Sequence, residues 1–179
     1  MQKIVILNGS GGCGKGTFVG YLSRYVSVYE RSIVDEAKRI LYSYGWDGQK
    51  DEKTRSCLCM LLDALKVVDI PHKYLVECYL DFSQDDFYDI MTIDIRDPDD
   101  IERMVEFFYN VGCPVKTVLI ERPSVEKITS NHADAGVANY SYDLIIENDG
   151  GIDDWDYTAK WFLDHFDELN GQRIKTTEC

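Results

Sequence analysis

Residues 9–17 read GSGGCGKGT and follow directly on the apolar run KIVILN. Glycine alone lets a chain curl tightly enough for several backbone N–H groups to face one anion. Gly9, Gly11, Gly12 and Gly14 supply that freedom. A helix opening near Lys15 adds its positive end, and the lysine reaches outer phosphates. The chemistry expected of Gly11, Gly12, Cys13, Gly14, Lys15, Gly16 and Thr17 is therefore the cradling of a triphosphate. The strict pattern places a hydroxyl directly after the lysine. Here Gly16 intervenes, and the hydroxyl arrives one residue late, on Thr17. In switch-type NTPases the residue after the lysine binds Mg²⁺ directly. Its displacement points to Mg²⁺ held by phosphates and waters, with Thr17 touching phosphate or a metal-bound water. Cys13 reads as a loop filler, although a helix end can lower a thiol's pKa.

Phosphoryl transfer asks a protein to position two substrates and spread cations over developing charge. Arg96 closes a strand-like segment just before a helix start and is the leading cation for that work. Asp94 precedes it on the same strand face and is expected to orient Mg²⁺-bound water or balance Arg96. Arg55 and Lys66 are eleven residues apart, hence about 20° apart around a helix axis and about 16 Å along it. They flank a leucine stripe where a cleft-lining cation or a snorkelling one belongs. Lys38 or Arg39 opens another helix toward the acceptor, and Arg122 ends a further strand. Lys127, Asn131 and His132 follow in a segment suited to closing over a nucleotide.

These residues need a scaffold. KIVILNG (3–9), RSIVD (31–35), YDIMTIDI (88–95), VKTVLIER (115–122) and YDLIIEN (142–148) read as five strands. Between them fall helical patterns: about Lys15 to Val26; Ala37, Ile40, Leu41 and Tyr44; Leu58, Leu61, Leu62 and Leu65; and a stretch opened by Pro71. Asp97-Pro98-Asp99-Asp100 is a strong helix start. The last helix carries Trp155, Ala159, Phe162, Leu163, Phe166 and Leu169 on one face, and the tail GQRIKTTEC reads as polar and frayed. Alternating strands and helices predict an α/β fold: a five-stranded parallel sheet covered on both faces. Helices near 45–85 and a poorly apolar segment about 122–141 interrupt the alternation. Ligands of such sheets bind beyond the carboxyl ends of the strands, so both interruptions flank one crevice.

The chain has 179 residues, 45% hydrophobic and 28% charged, the profile of one soluble domain. Its net charge of −13 repels nucleic-acid polymers and anionic membranes. No run is long enough to span a bilayer, and no leader is read before the first strand. Six cysteines without paired spacing read as reduced thiols in a cytoplasm. The three histidines do not cluster with them as zinc ligands would. A homodimer is left open.

The stretch G-x-x-G-x-G-K-G-T resembles the loop of nucleoside monophosphate kinases such as adenylate kinase, which also carry glycine after the lysine. GWDGQKDEKTR (45–55), IRDPDDI (95–101) and HADAGVANYSYDLIIENDG (132–150) resemble phage deoxynucleoside monophosphate kinases and their bacterial relatives. The last piece is also similar to animal-type phosphomevalonate kinase. The resemblance implies a three-layer P-loop NTPase fold over residues 1–179, with a helical acceptor-binding insert and a short lid. It implies Mg²⁺-dependent transfer of the ATP γ-phosphoryl group to a monophosphate. Lys15 and Thr17 would serve ATP, Arg55 and Arg96 would face the acceptor, Arg122 would act on the transferring group, and Asn148-Asp149-Gly150 would lie near the adenine. An acceptor role for His132 comes from the same resemblance. Adenylate kinase lids carry several arginines, whereas 123–141 carries none. Two alternatives stand beside this reading: a non-nucleotide phosphate as acceptor, and a nucleotide-binding regulatory module without metabolite kinase activity. Aromatic or amide groups from 40–85 would mark a base pocket; a narrow, all-basic pocket would mark the non-nucleotide acceptor.

Overall fold

The apolar run Ile4–Leu7 alternates its side chains between two cores, which fixes β1 (Lys3–Asn8) at the centre of the sheet. Val5 and Leu7 enter one core and Ile4 and Ile6 the other, as the two-residue strand period requires. The structure, a computed structural model, describes residues 1–49, 51–124, 137 and 140–177. Lys127, Asn131, His132 and most of the expected 122–141 lid lie outside the described residues.

The elements after β1 run α1 (Lys15–Leu22), β2 (Val28–Ser32), α2 (Asp35–Ser43), α3 (Glu52–Lys66), α4 (Ile70–Gln84) and β3 (Ile90–Asp94). They continue with α5 (Pro98–Asn110), β4 (Val115–Glu121), β5 (Leu144–Glu147), α6 (Asp154–His165), a 3₁₀ turn (Phe166–Glu168) and β6 (Gln172–Lys175). The strands form one parallel sheet in the order β2-β3-β1-β4-β5-β6. On one face, Phe18 and Leu22 of α1 pack with Trp155 and Phe162 of α6 and with Phe166. Phe18 meets Phe162 edge-on at 5.2 Å, and Phe162 meets Phe166 likewise at 5.6 Å. On the other face, Leu75 and Phe82 of α4 pack with Ile101, Met104 and Phe108 of α5.

Four expectations are corrected. The sheet has six strands, not five: the expected frayed tail forms β6, which pairs with β5 and buries Thr176. Its four residues, QRIK, present a single aliphatic side chain, so no alternation announces it. The second strand is Val28–Ser32, three residues earlier than RSIVD. It lies at the sheet edge, where exposed Glu30 and half-buried Arg31 disguise it. Ile33 is buried in the turn that follows, and Asp35 accepts from the Ser32 N–H as α2 begins. Helix α1 stops at Leu22, with Ser23 turning back onto the Val19 carbonyl. In α2 only Ala37 is buried, and Tyr44 lies past its end, fully exposed.

Gly9 makes the turn out of β1 with φ 138°. A Cβ there would run into the Ile120 carbonyl oxygen and the Cys13 sulfur. Gly9→Ala is therefore expected to cost about 1–3 kcal/mol for the strained backbone alone, measured as a shift in urea-unfolding midpoint at constant slope.

Candidate active site

At the carboxyl ends of the strands the chain encloses a crevice of about 610 Å³, lined by residues 10–17. The bend from β1 into α1 is its centre. Gly14 caps α1 with φ 116°, and a side chain there would strike Trp155 (2.8 Å) and the Asn148 amide (2.9 Å). Among the described residues no side chain caps α1, and its first turn carries no acid. The leading N–H groups of the helix are thus left to the crevice, where an anion satisfies them.

The bend is supported from behind. The buried Asn148 amide donates to the Cys13 carbonyl at 2.8 Å, and the Gly9 N–H donates to Asn8 Oδ1 at 2.6 Å. The Asn8 amide also donates to the Arg96 carbonyl (2.9 Å) and to the Tyr142 hydroxyl (2.7 Å). The Tyr142 O–H donates in turn to the Val137 carbonyl; burial pushes its phenol well above the ordinary tyrosine range. One asparagine therefore ties together the segments after β1, β3 and β4. Burial also pushes the Cys13 thiol up, against the pull of Lys15, so Cys13 packs into the core beneath the loop as a neutral thiol.

Of the expected site residues, Gly11, Gly12, Cys13, Gly14, Lys15, Gly16, Thr17, Lys38, Arg55, Lys66, Asp94, Arg96, Arg122 and Asn148 line this crevice, and Asp149 does not. His132 lies outside the described residues. The placements differ in kind. Lys15 Nζ bonds the Gly9 carbonyl, with the Ser10 carbonyl at 3.4 Å and Asp94 Oδ1 at 3.8 Å. Asp94 Oδ1 is a buried oxygen with no hydrogen bond of its own. A hard oxygen of that kind, with the Thr17 hydroxyl lining the same crevice, fits a small divalent cation such as Mg²⁺. Arg55 and Arg122 line the crevice as exposed side chains, and Arg96 as a half-buried one. Lys38 is held 2.8 Å from Asp35. Arg39 turns to Glu36 at 2.6 Å and is not among the crevice residues.

Lys66 belongs to a network that spacing did not disclose. Its ammonium lies 3.0 Å from Asp97 and 2.5 Å from Asp100. The buried His72 ring joins Asp100 through Nε2 (3.0 Å) and approaches Asp69 through Nδ1 (3.1 Å). Arg103 closes the set, 2.8 Å from Asp69 and 3.2 Å from His72 Nδ1. These six side chains bolt α3 and α4 onto α5. Asn8 and Trp155 were also missed. An asparagine ending an apolar strand was a readable signal for the first; the helical pattern placed Trp155 in the core but not beneath the loop.

No family model and no curated protein matches the chain. Among solved structures, a cysteine-to-alanine mutant of the Mycobacterium tuberculosis APS kinase CysC aligns with 93% of this chain and 97% of its own, at 16% identity and a TM-score of 0.47.

Burial pushes the Asp100 carboxyl up, but bonds from His72 and Lys66 outweigh it and hold the group below its ordinary value of 3.8. A carboxyl lowered on folding contributes stability that is complete above the unfolded value and is lost as pH falls through the folded one. Asp100→Asn is thus expected to cost about 3 kcal/mol at neutral pH, because it strands buried partners. Denaturation midpoints across pH should show the gap to wild type closing as pH drops below that ordinary value.

Proposed function

We propose that the protein is a P-loop kinase that transfers the γ-phosphoryl group of ATP to a small monophosphate, a (deoxy)nucleoside monophosphate in the first instance. One observation carries this reading: the uncapped N-terminus of α1, wrapped by its glycine bend and Lys15, opens into the same crevice as Arg55, Arg96 and Arg122. An anion tail on the loop and a second anion on the arginines would meet end to end. An oxygen of the acceptor phosphate attacks the γ-phosphorus. The bond from that phosphorus to the β–γ bridging oxygen breaks, and its electron pair leaves with ADP.

The loop amides and Lys15 hold the donor phosphates, and Arg122 faces the transferring group. Arg96 and Arg55 receive the acceptor phosphate, while Lys38 and Lys66 set the shape of the acceptor wall through their acidic partners. Bound Mg²⁺ would neutralise charge on the β- and γ-oxygens, and Asp94 and Thr17 are the side chains placed to orient its waters. Such positioning and charge spreading are what this chemistry requires of a protein.

A second reading, a non-nucleotide phosphate as acceptor, draws support from the insert's share of the crevice. Leu58, Cys59, Leu62 and Asp63 supply neither an aromatic ring nor a carboxamide for a base. They do not make an all-basic pocket either. The comparison is made by ADP release across a panel of nucleoside monophosphates and non-nucleotide phosphates, with Mg²⁺. Turnover with a nucleoside monophosphate, reduced about 10²–10³-fold in kcat by Lys15→Met, is the expected result. Activity confined to non-nucleotide phosphates transfers the assignment to the second reading. Tight ATP binding with no acceptor turned over makes the protein a regulatory binding module.

A further inference from the structure

The β1–β3 ladder ends where the donor and acceptor sides of the crevice begin. Its last backbone rung joins the Ile95 N–H to the Leu7 carbonyl at 3.0 Å. Beyond that rung the two chains part. One runs through Gly9 into the phosphate loop, and the other runs through Arg96 into the Asp97 cap of α5. A side chain spans them just past the rung: the Asn8 amide donates to the Arg96 carbonyl at 2.9 Å.

Asn8 is fully buried and is not among the residues lining the crevice, so it touches neither anion. Its amide is nonetheless completely used. Oδ1 accepts from the Gly9 N–H at 2.6 Å, and the two amide hydrogens go to the Arg96 carbonyl and to the Tyr142 hydroxyl at 2.7 Å. A reversed amide would set N–H against N–H at Gly9 and oxygen against oxygen at Arg96. The side chain thus has one acceptable pose, and that pose fixes the start of the donor bend against the backbone carrying the acceptor arginine.

A second bridge crosses the same gap and is of a different kind. Lys15 Nζ bonds the Gly9 carbonyl and lies 3.8 Å from Asp94 Oδ1. A triphosphate in the bend draws that ammonium to its outer phosphates, so this bridge is exchanged for ligand as the site fills. The Asn8 bonds use no group that a phosphate claims, and they outlast the exchange.

We infer that Asn8 is the positioning residue that holds the phosphate loop and Arg96 at one separation, so that an anion on each meets the other end to end. The inference rests on the two-anion reading above and adds to it the residue that sets the spacing. A misplacement of about 1 Å can cost on the order of 10²-fold in rate, so a buried tie of this kind acts on the reaction without touching a substrate.

The experiment is equilibrium binding of linear tripolyphosphate, tetrapolyphosphate and pentapolyphosphate to the full chain with Mg²⁺, which requires no identified acceptor. A chain long enough to span the loop and Arg96 gains the effective concentration of its second anchor. In the wild type the better of the two longer chains is expected to bind at least about tenfold more tightly than tripolyphosphate, a gain that Arg96→Ala removes. Asn8→Ala, or Asn8→Ser if the alanine variant does not fold, should cut the gain to about threefold or less. Because the gain is a ratio within each variant, a uniform weakening of the loop cancels. Tyr142→Phe keeps the Gly9 and Arg96 bonds and should lower stability with the gain intact, which is also how a merely structural asparagine would behave. A gain that survives substitution of Asn8, or one indifferent to Arg96→Ala, overturns the inference and leaves the phosphate loop standing. If tripolyphosphate binds and added length brings no gain, the arginines form no second anion site, and the two-anion reading falls together with this one. If no polyphosphate binds, the phosphate-loop reading itself fails.

Discussion

A bend that turns its N–H groups toward an anion cannot also use them to hold its own shape, and this constraint organises the whole crevice. Part of the support is internal, from the Cys13 N–H to the Ser10 carbonyl and from Lys15 to the Gly9 and Ser10 carbonyls, and the rest comes from neighbouring segments that bond the bend's outer side. Asn8 and Asn148 do this from the ends of two different strands, each amide anchoring one turn of the bend. Trp155 and the Ile120 carbonyl fill the space where side chains on Gly14 and Gly9 would stand. The parallel register sets Asn8 level with Leu119 and Ile145, and Asn148, three residues further on, supports the bend from just past the end of β5.

What the sequence disclosed and what it hid divide along physical lines. Central strands are buried on both faces, so β1, β3, β4 and β5 show as apolar runs. The Asp97-Pro98 start shows because capping chemistry is local: Asp97 accepts from the Asp99 N–H in the expected way. Edge strands give no such signal. β2 carries Glu30 and Arg31, and β6 is four residues with one aliphatic side chain. Lys38 and Lys66 were legible as crevice residues, but not their commitment to Asp35 and to the Asp97–Asp100 pair. Lys38 and Asp35 stand three residues apart on α2, a local pair that helical spacing offers, whereas the Lys66 partnership joins segments that only tertiary packing brings together. For the same reason nothing near Thr176 in sequence pointed to Gly150, 26 residues away.

The charge distribution is less paradoxical than a net charge of −13 suggests for a chain proposed to bind anions. Acids lie close behind several of the cations at the crevice, so the local field there is set by geometry. Lys15 is flanked by Asp94, and Lys66 by two carboxylates. Lys38, beside Asp35, and Arg55, Arg96 and Arg122 contribute the rest of the positive lining. A ligand phosphate brought into such a site is surrounded by ion pairs that can be re-partitioned, and the desolvated setting strengthens each new contact.

Asp69 joins α3 to α4 with φ 63°, the single non-glycine residue in the left-handed region among the described ones. That conformation costs of order 1–3 kcal/mol, and it is held by Arg103 and His72. The junction therefore behaves as a wound spring secured by an electrostatic catch. Arg103 is half exposed, so dissolved ions reach the catch and weaken it over distances of about 8–10 Å. The Asp69 turn between the two insert helices is therefore expected to loosen as ionic strength rises, while the buried sheet beneath it is unaffected.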